Sequence, residues 1–175
     1  MAHTENIFIC ITVPLLISLF FIKGKQRSFT MFICIGMSIC MASAYVNSFF
    51  MTMYGADAVS TAIQIAPVCE EIMKLLPLLF FILIFEPRPG EIIPAAIAIA
   101  AGFATFENVC YLSENGAGDI ALLLVRGVSA GALHILCGIA MGYGIAYVFK
   151  QHWLAAAGLG YSERILFFMR YTICW

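Results

Sequence analysis

Residues 64–85 read QIAPVCEEIMKLLPLLFFILIF. The run is apolar and long enough to cross a bilayer, yet it holds Glu70, Glu71 and Lys74 between Pro67 and Pro77. Each acid or lysine at the centre of a membrane helix costs about 2.5–3.5 kcal/mol on insertion scales. A chain keeps three of them there only where partners meet them. Lys74 can pair with Glu70 at i,i+4 or with Glu71 at i,i+3, and such a pairing alone is a structural ion pair inside a bundle. Two acids against one lysine leave a carboxylate over, and adjacent carboxylates resist joint ionisation. A glutamate poised in this way suits general acid or base work. Each proline removes a helix hydrogen bond and frees a carbonyl four residues earlier, at Ile63 and Met73.

Composition places this run in a membrane. Of the 175 residues, 63% are hydrophobic and 11% charged, with a mean hydropathy of +0.99. Soluble domains hold about 45–50% apolar and about 25% charged residues. The chain is therefore an all-α, polytopic membrane helix bundle, one body whose first partner is the lipid bilayer. A net charge of −1 gives no sign of nucleic acid as a partner. The seven cysteines are odd in number and without CxxC spacing. They read as small buried hydrophobes, not as a disulfide framework or a zinc finger.

Five segments are expected to cross: 7–22, 28–53, 58–85, 92–112 and 120–149. Lys23, Lys25 and Arg27 lie in the first connection, Arg88 in the third and Lys150 after the fifth segment, whereas the second and fourth connections carry no Lys or Arg. The positive-inside rule then puts the N-terminus outside and residue 150 in the cytoplasm. Residues 1–150 form the transmembrane core. Residues 151–175, interrupted by Glu163, Arg164 and Arg170, read as a cytoplasmic or interfacial tail. On this topology Glu70 and Glu71 lie roughly 18–20 Å from the outer end of their helix, near the midplane of a roughly 30 Å core.

Two later segments bring polar groups to the same layer. The fourth contains AGFATFENVCYL, in which Glu107 and Asn108 interrupt the apolar run. Phe103, Glu107 and Tyr111 follow i, i+4, i+8 and share a helix face. The fifth contains RGVSAGALHILCGIAMGYG, with His134 the one histidine inside a predicted span. Gly127, Gly131, Gly138 and Gly142 form two GxxxG pairs around it, the spacing of close helix approach. Arg126 lies nearer the outer end and is expected to snorkel outward. Two acids, a third acid and an imidazole are the parts of a water-activating site. They can bind a divalent metal such as zinc, with Glu71, Glu107 and His134 as ligands, or do acid–base chemistry unaided. HExxH and GxSxG are both absent.

The segments EEIMK, GFATFENVCYL and HILCGIAMGYGIAY resemble, in order and on successive helices, the motifs of the PrsW intramembrane proteases. That family sits in the superfamily of CAAX prenyl endopeptidases and bacteriocin-processing enzymes. The resemblance covers roughly residues 60–150. It implies a plasma-membrane endopeptidase that cuts single-span membrane proteins, such as anti-sigma factors at their first cleavage site. By motif, the implied catalytic positions are Glu70, Glu71, Glu107 and His134, supported by Lys74, Phe103 and Asn108. Glu107 stands where the wider superfamily's FxxxH element has histidine, which removes one imidazole from any metal site. Glu71, more than Glu70, is expected to activate water, with Lys74 holding the other carboxylate. The further family helix, with a late histidine near HGxYD, has no counterpart in the tail, which reads as shortened or altered in frame. Two rival functions share these residues: a proton-coupled membrane carrier, and an inactive binder of transmembrane substrates.

Overall fold

The computed structural model describes residues 4–55, 57–115 and 120–155. Among them there is no strand. The elements are α1 (Thr4–Ser18), α2 (Lys25–Tyr54), α3 (Ala58–Ser60), a π turn (Thr61–Ile65), α4 (Ala66–Phe85), α5 (Pro89–Asn115) and α6 (Ile120–Ala155). The chain makes five helical passes, as the hydropathy pattern predicts, because α3, the π turn and α4 run on as one interrupted helix.

The interruption has a local cause. Pro67 stands in the first turn of α4 and has no N–H to give the preceding turn. The backbone widens there, and the Ala66 N–H reaches back five residues to the Thr61 carbonyl. Helix ends are equally legible. Gly55, at φ 59°, closes α2 by donating its N–H to the Met51 carbonyl. The Arg88 N–H donates to Glu91 Oε2 at 3.0 Å, half of a capping box at the start of α5.

Among the described residues, three helices are by length and composition apolar enough to cross a membrane: Lys25–Tyr54, Pro89–Glu114 and Leu124–Val148. The other two of the five expected passes differ from these in length or charge. α1 has 15 residues, short of the roughly 20 that a crossing needs, and it stops at Ser18 instead of 22. α4 is strongly apolar in its other residues but carries three charged ones, Glu70, Glu71 and Lys74. The last helix continues to Ala155, so it runs past the predicted boundary at 150. The tail residues 156–175 lie outside the described residues.

α5 is the central helix, packed between α2 and α6. Ala95, Ala96, Ala98, Ile99 and Ala100 are buried on it, with Phe32 of α2 and Ile145 of α6 against them. Small side chains let backbones meet, and two glycines carry this to its limit. A Cβ on Gly36 would stand 2.1 Å from the Ile99 carbonyl oxygen, and one on Gly102 the same distance from that of Ile33. The α2–α5 crossing therefore admits nothing larger than glycine at either place. On α6 only half of the predicted GxxxG stripe does this work. A Cβ on Gly138 would meet the Ala100 Cβ at 2.7 Å and one on Gly142 the Ala96 Cβ at 3.1 Å, whereas Gly127 and Gly131 face no described atom within 4 Å. Gly102→Ala is therefore expected to destabilise the bundle by about 1–3 kcal/mol, the usual cost of overpacking. Gly131→Ala should leave the protein unchanged or slightly firmer. Thermal unfolding in detergent checks both, and equal melting temperatures for Gly102→Ala and the parent would contradict the crossing described here.

Candidate active site

The polar groups of α4, α5 and α6 meet in the bundle. Lys74 projects from α4 and is 2% exposed. Its Nζ donates to Glu71 Oε1 at 2.7 Å and to His134 Nδ1 at 2.7 Å. It also sits 4.1 Å from the centroid of the Phe103 ring, a cation–π contact in a dry setting. Phe103, itself buried, lies with its centroid 5.2 Å from that of His134. One aromatic face thus covers both the ammonium and the imidazole.

The hydrogen-bond chemistry sets the state of His134. An ammonium has donors and no acceptor, so Nδ1 must accept from Lys74. The ring proton then sits on Nε2, which donates to Glu107 Oε2 at 2.6 Å. Glu107 Oε1 in turn accepts from Arg126 Nη2 at 3.1 Å. The result is one chain of contacts running Glu71, Lys74, His134, Glu107, Arg126 across three helices. Arg126, expected to snorkel, turns its guanidinium to Glu107 and Tyr111, with its side chain 29% exposed. Its guanidinium carbon lies 3.7 Å from the Tyr111 ring centroid, and its Nε is buried with no hydrogen-bond partner. The face shared by Phe103, Glu107 and Tyr111 points inward as the spacing predicts, and its successive members meet His134 and Arg126.

Glu70 stands apart from this chain. It lines a cavity of about 260 Å³ together with Glu107, Phe103, Cys40, Asn47 and residues nearer the N-terminal end of α1. The cavity runs along α1, α2 and α5. It is not enclosed by α4, α5 and α6, and His134 is not among its lining residues. Sequence reasoning overlooked Asn47 of α2, whose Oδ1 is buried on this wall without a hydrogen-bond partner. Asn108 Oδ1 is likewise buried and without a partner. A second cavity of about 390 Å³ lies between α2 and α4, with Cys69, Val68 and Ile72 on its wall. Glu70 and its neighbour Cys69 therefore face different cavities.

This arrangement reverses one expectation. Lys74 selects Glu71 at i,i+3, and Glu70 is the acid left facing the cavity. It also bears on a metal site. Glu71 Oε1 and His134 Nδ1 converge on the Lys74 ammonium, which occupies the place between them. Both ring nitrogens of His134 are engaged, and among the described residues no three His, Cys, Asp or Glu side chains are placed to hold a metal ion. The expected set of Glu71, Glu107 and His134 does not form a zinc site as these side chains stand. Lysine supplies the cation at the centre of the cluster.

No curated protein and no solved structure matches the chain. A family model described as "PrsW family intramembrane metalloprotease" matches residues 25–171. The match takes in every helix of the polar cluster, and with most of its length covered the chain belongs to the PrsW family of intramembrane proteases.

Proposed function

We propose that this protein hydrolyses a peptide bond of a single-span membrane protein of the anti-sigma-factor type, in a plasma membrane. The N-terminus lies outside and residue 150 in the cytoplasm. Residues 1–150 make the protease core and 151–175 a cytoplasmic or interfacial tail. One observation carries the reading: Glu70 and Glu107, from two helices, line a single cavity, and Glu107 is joined to His134 and Lys74 behind it. The apolar cavity between α2 and α4 supports a substrate that is itself a membrane helix.

Glu70 has no assigned cation and faces space that a water molecule can fill. It takes a proton from that water as the water oxygen bonds to the scissile carbonyl carbon. The oxyanion forms in the field of Lys74 and Arg126, fixed cations in a low-dielectric setting. The C–N bond then breaks, and the proton returns to the leaving nitrogen through Glu70 or the Glu107–His134 pair. One carboxylate and one amine leave. No step here runs through a metal ion. A divalent cation bound at His134 would first have to displace Lys74 from Nδ1.

The test uses the full chain in proteoliposomes with a panel of single-span substrates, anti-sigma-type proteins among them, read by mass spectrometry. The reading expects two fragments whose masses sum to the substrate plus one water. Substrate that binds but stays intact would favour an inactive binder. Substrate-driven proton uptake without fragments would favour a proton-coupled carrier.

A further inference from the structure

We infer that Arg126 is a positioning residue for Glu107: it holds one carboxylate oxygen so that the other stays on the His134 Nε2–H. The inference rests on the peptidase reading of the same site, and the experiment below separates the two.

Three observations point this way. First, Glu107 is held at both oxygens by different donors, Oε1 by Arg126 at 3.1 Å and Oε2 by His134 at 2.6 Å. A carboxylate held at one oxygen can rotate about its last torsion, and one held at both cannot. Second, the guanidinium is itself fixed. It stacks on Tyr111 at 3.7 Å, and Tyr111 is the next residue along the α5 face that carries Phe103 and Glu107. Arg126 Nε has no accessible surface and no partner, although the side chain as a whole is 29% exposed. Such a group is costly to bury, so the Glu107 and Tyr111 contacts define where it sits. Third, the geometry repeats. Two turns of α6 separate Arg126 from His134, and one turn of α5 separates Glu107 from each aromatic. Phe103 covers His134 while Tyr111 covers Arg126, with Glu107 between them. The carboxylate is clamped between two side chains of one neighbouring helix, each backed by an aromatic of its own.

The consequence lies in the rate and not in substrate affinity. Glu107 must present a fixed oxygen to the reaction while staying on His134, and misplacement by about 1 Å can cost about a hundredfold in rate. Arg126→Met should lower kcat about tenfold to a hundredfold with KM within about twofold. Arg126→Lys restores the charge without the planar fork and should recover part of the loss. Tyr111→Leu removes the stacking face but no charge, and should lower kcat by less than Arg126→Met.

A second readout does not depend on turnover. The chain has three histidines, so an ¹⁵N-histidine spectrum is assignable by substitution. The parent should show His134 protonated at Nε2, with a strongly downfield proton from the bond to Glu107. In Arg126→Met that proton should move upfield and broaden as Glu107 loosens, and Arg126→Lys should fall between. Should Arg126→Met fail to fold, Tyr111→Leu carries both readouts. A parent that cleaves, beside an Arg126→Met variant with unchanged kcat and an unchanged His134 resonance, would overturn the inference alone. A parent that cleaves nothing, while the resonance moves as described, would remove the peptidase reading and leave the clamp standing.

Discussion

Glu70→Gln should lower kcat by about 10²–10⁴-fold, the usual contribution of a positioned general base, and leave the melting temperature unchanged. Glutamine keeps the shape and the hydrogen-bonding ends of glutamate but cannot take a proton. Glu70 faces the cavity and is not the partner of Lys74, so its loss removes no buried ion pair. Glu71→Gln should behave in the opposite way. It takes the counterion from a lysine that is 2% exposed, so stability should fall while turnover falls less. Purified variants compared for turnover and for thermal unfolding decide the matter. A dead Glu71→Gln at full stability, beside an active Glu70→Gln, would reverse the two roles.

Lys74→Met carries the other large effect. Removing one member of a buried pair costs about 3–5 kcal/mol because a charge is left without its partner. The lower end applies here, since the Glu71 side chain is 35% exposed and water screens part of its charge. The effect on chemistry is separate. Without the ammonium, Nδ1 loses its donor, and the Glu107 carboxylate alone is left to hold the His134 proton on Nε2. In the serine protease triad the wrong histidine tautomer costs about 10⁴ in kcat. Here Glu107 remains to fix the tautomer, so the expected loss comes from removing a cation that faces the oxyanion, about 10²–10³ in kcat. Activity measured well below the unfolding temperature separates the two effects. A Lys74→Met protein that is stable and fully active would show that neither the bundle nor the oxyanion depends on this residue.

The five helical passes were legible because apolar runs, prolines and glycines are strong local signals. The inward face of Phe103, Glu107 and Tyr111 was legible for the same reason, since i, i+4, i+8 spacing belongs to one helix. What failed was set between helices. Spacing allows Lys74 to reach either acid, and the choice depends on His134, 60 residues away in sequence. Arg126 reads as a snorkelling cation by depth alone, and only its contact with Tyr111 and Glu107 turns it inward. The α6 glycines read as a continuous stripe, yet only Gly138 and Gly142 meet α5. The tightest approach instead uses Gly36 and Gly102, which have no paired GxxxG spacing to announce them. The short α1 was misjudged because hydropathy continues to residue 22 although the helix ends at Ser18.

The central claim is that these side chains, with Lys74 as the internal cation, carry hydrolysis by themselves. It is tested most directly by stripping the protein of metal with a chelator, measuring zinc and other metals in the same sample, and assaying cleavage of a single-span substrate in proteoliposomes. With both His134 nitrogens engaged by protein groups, the stripped protein should cleave at the rate of the untreated one. A rate that falls with the metal content and returns when zinc is restored would contradict it.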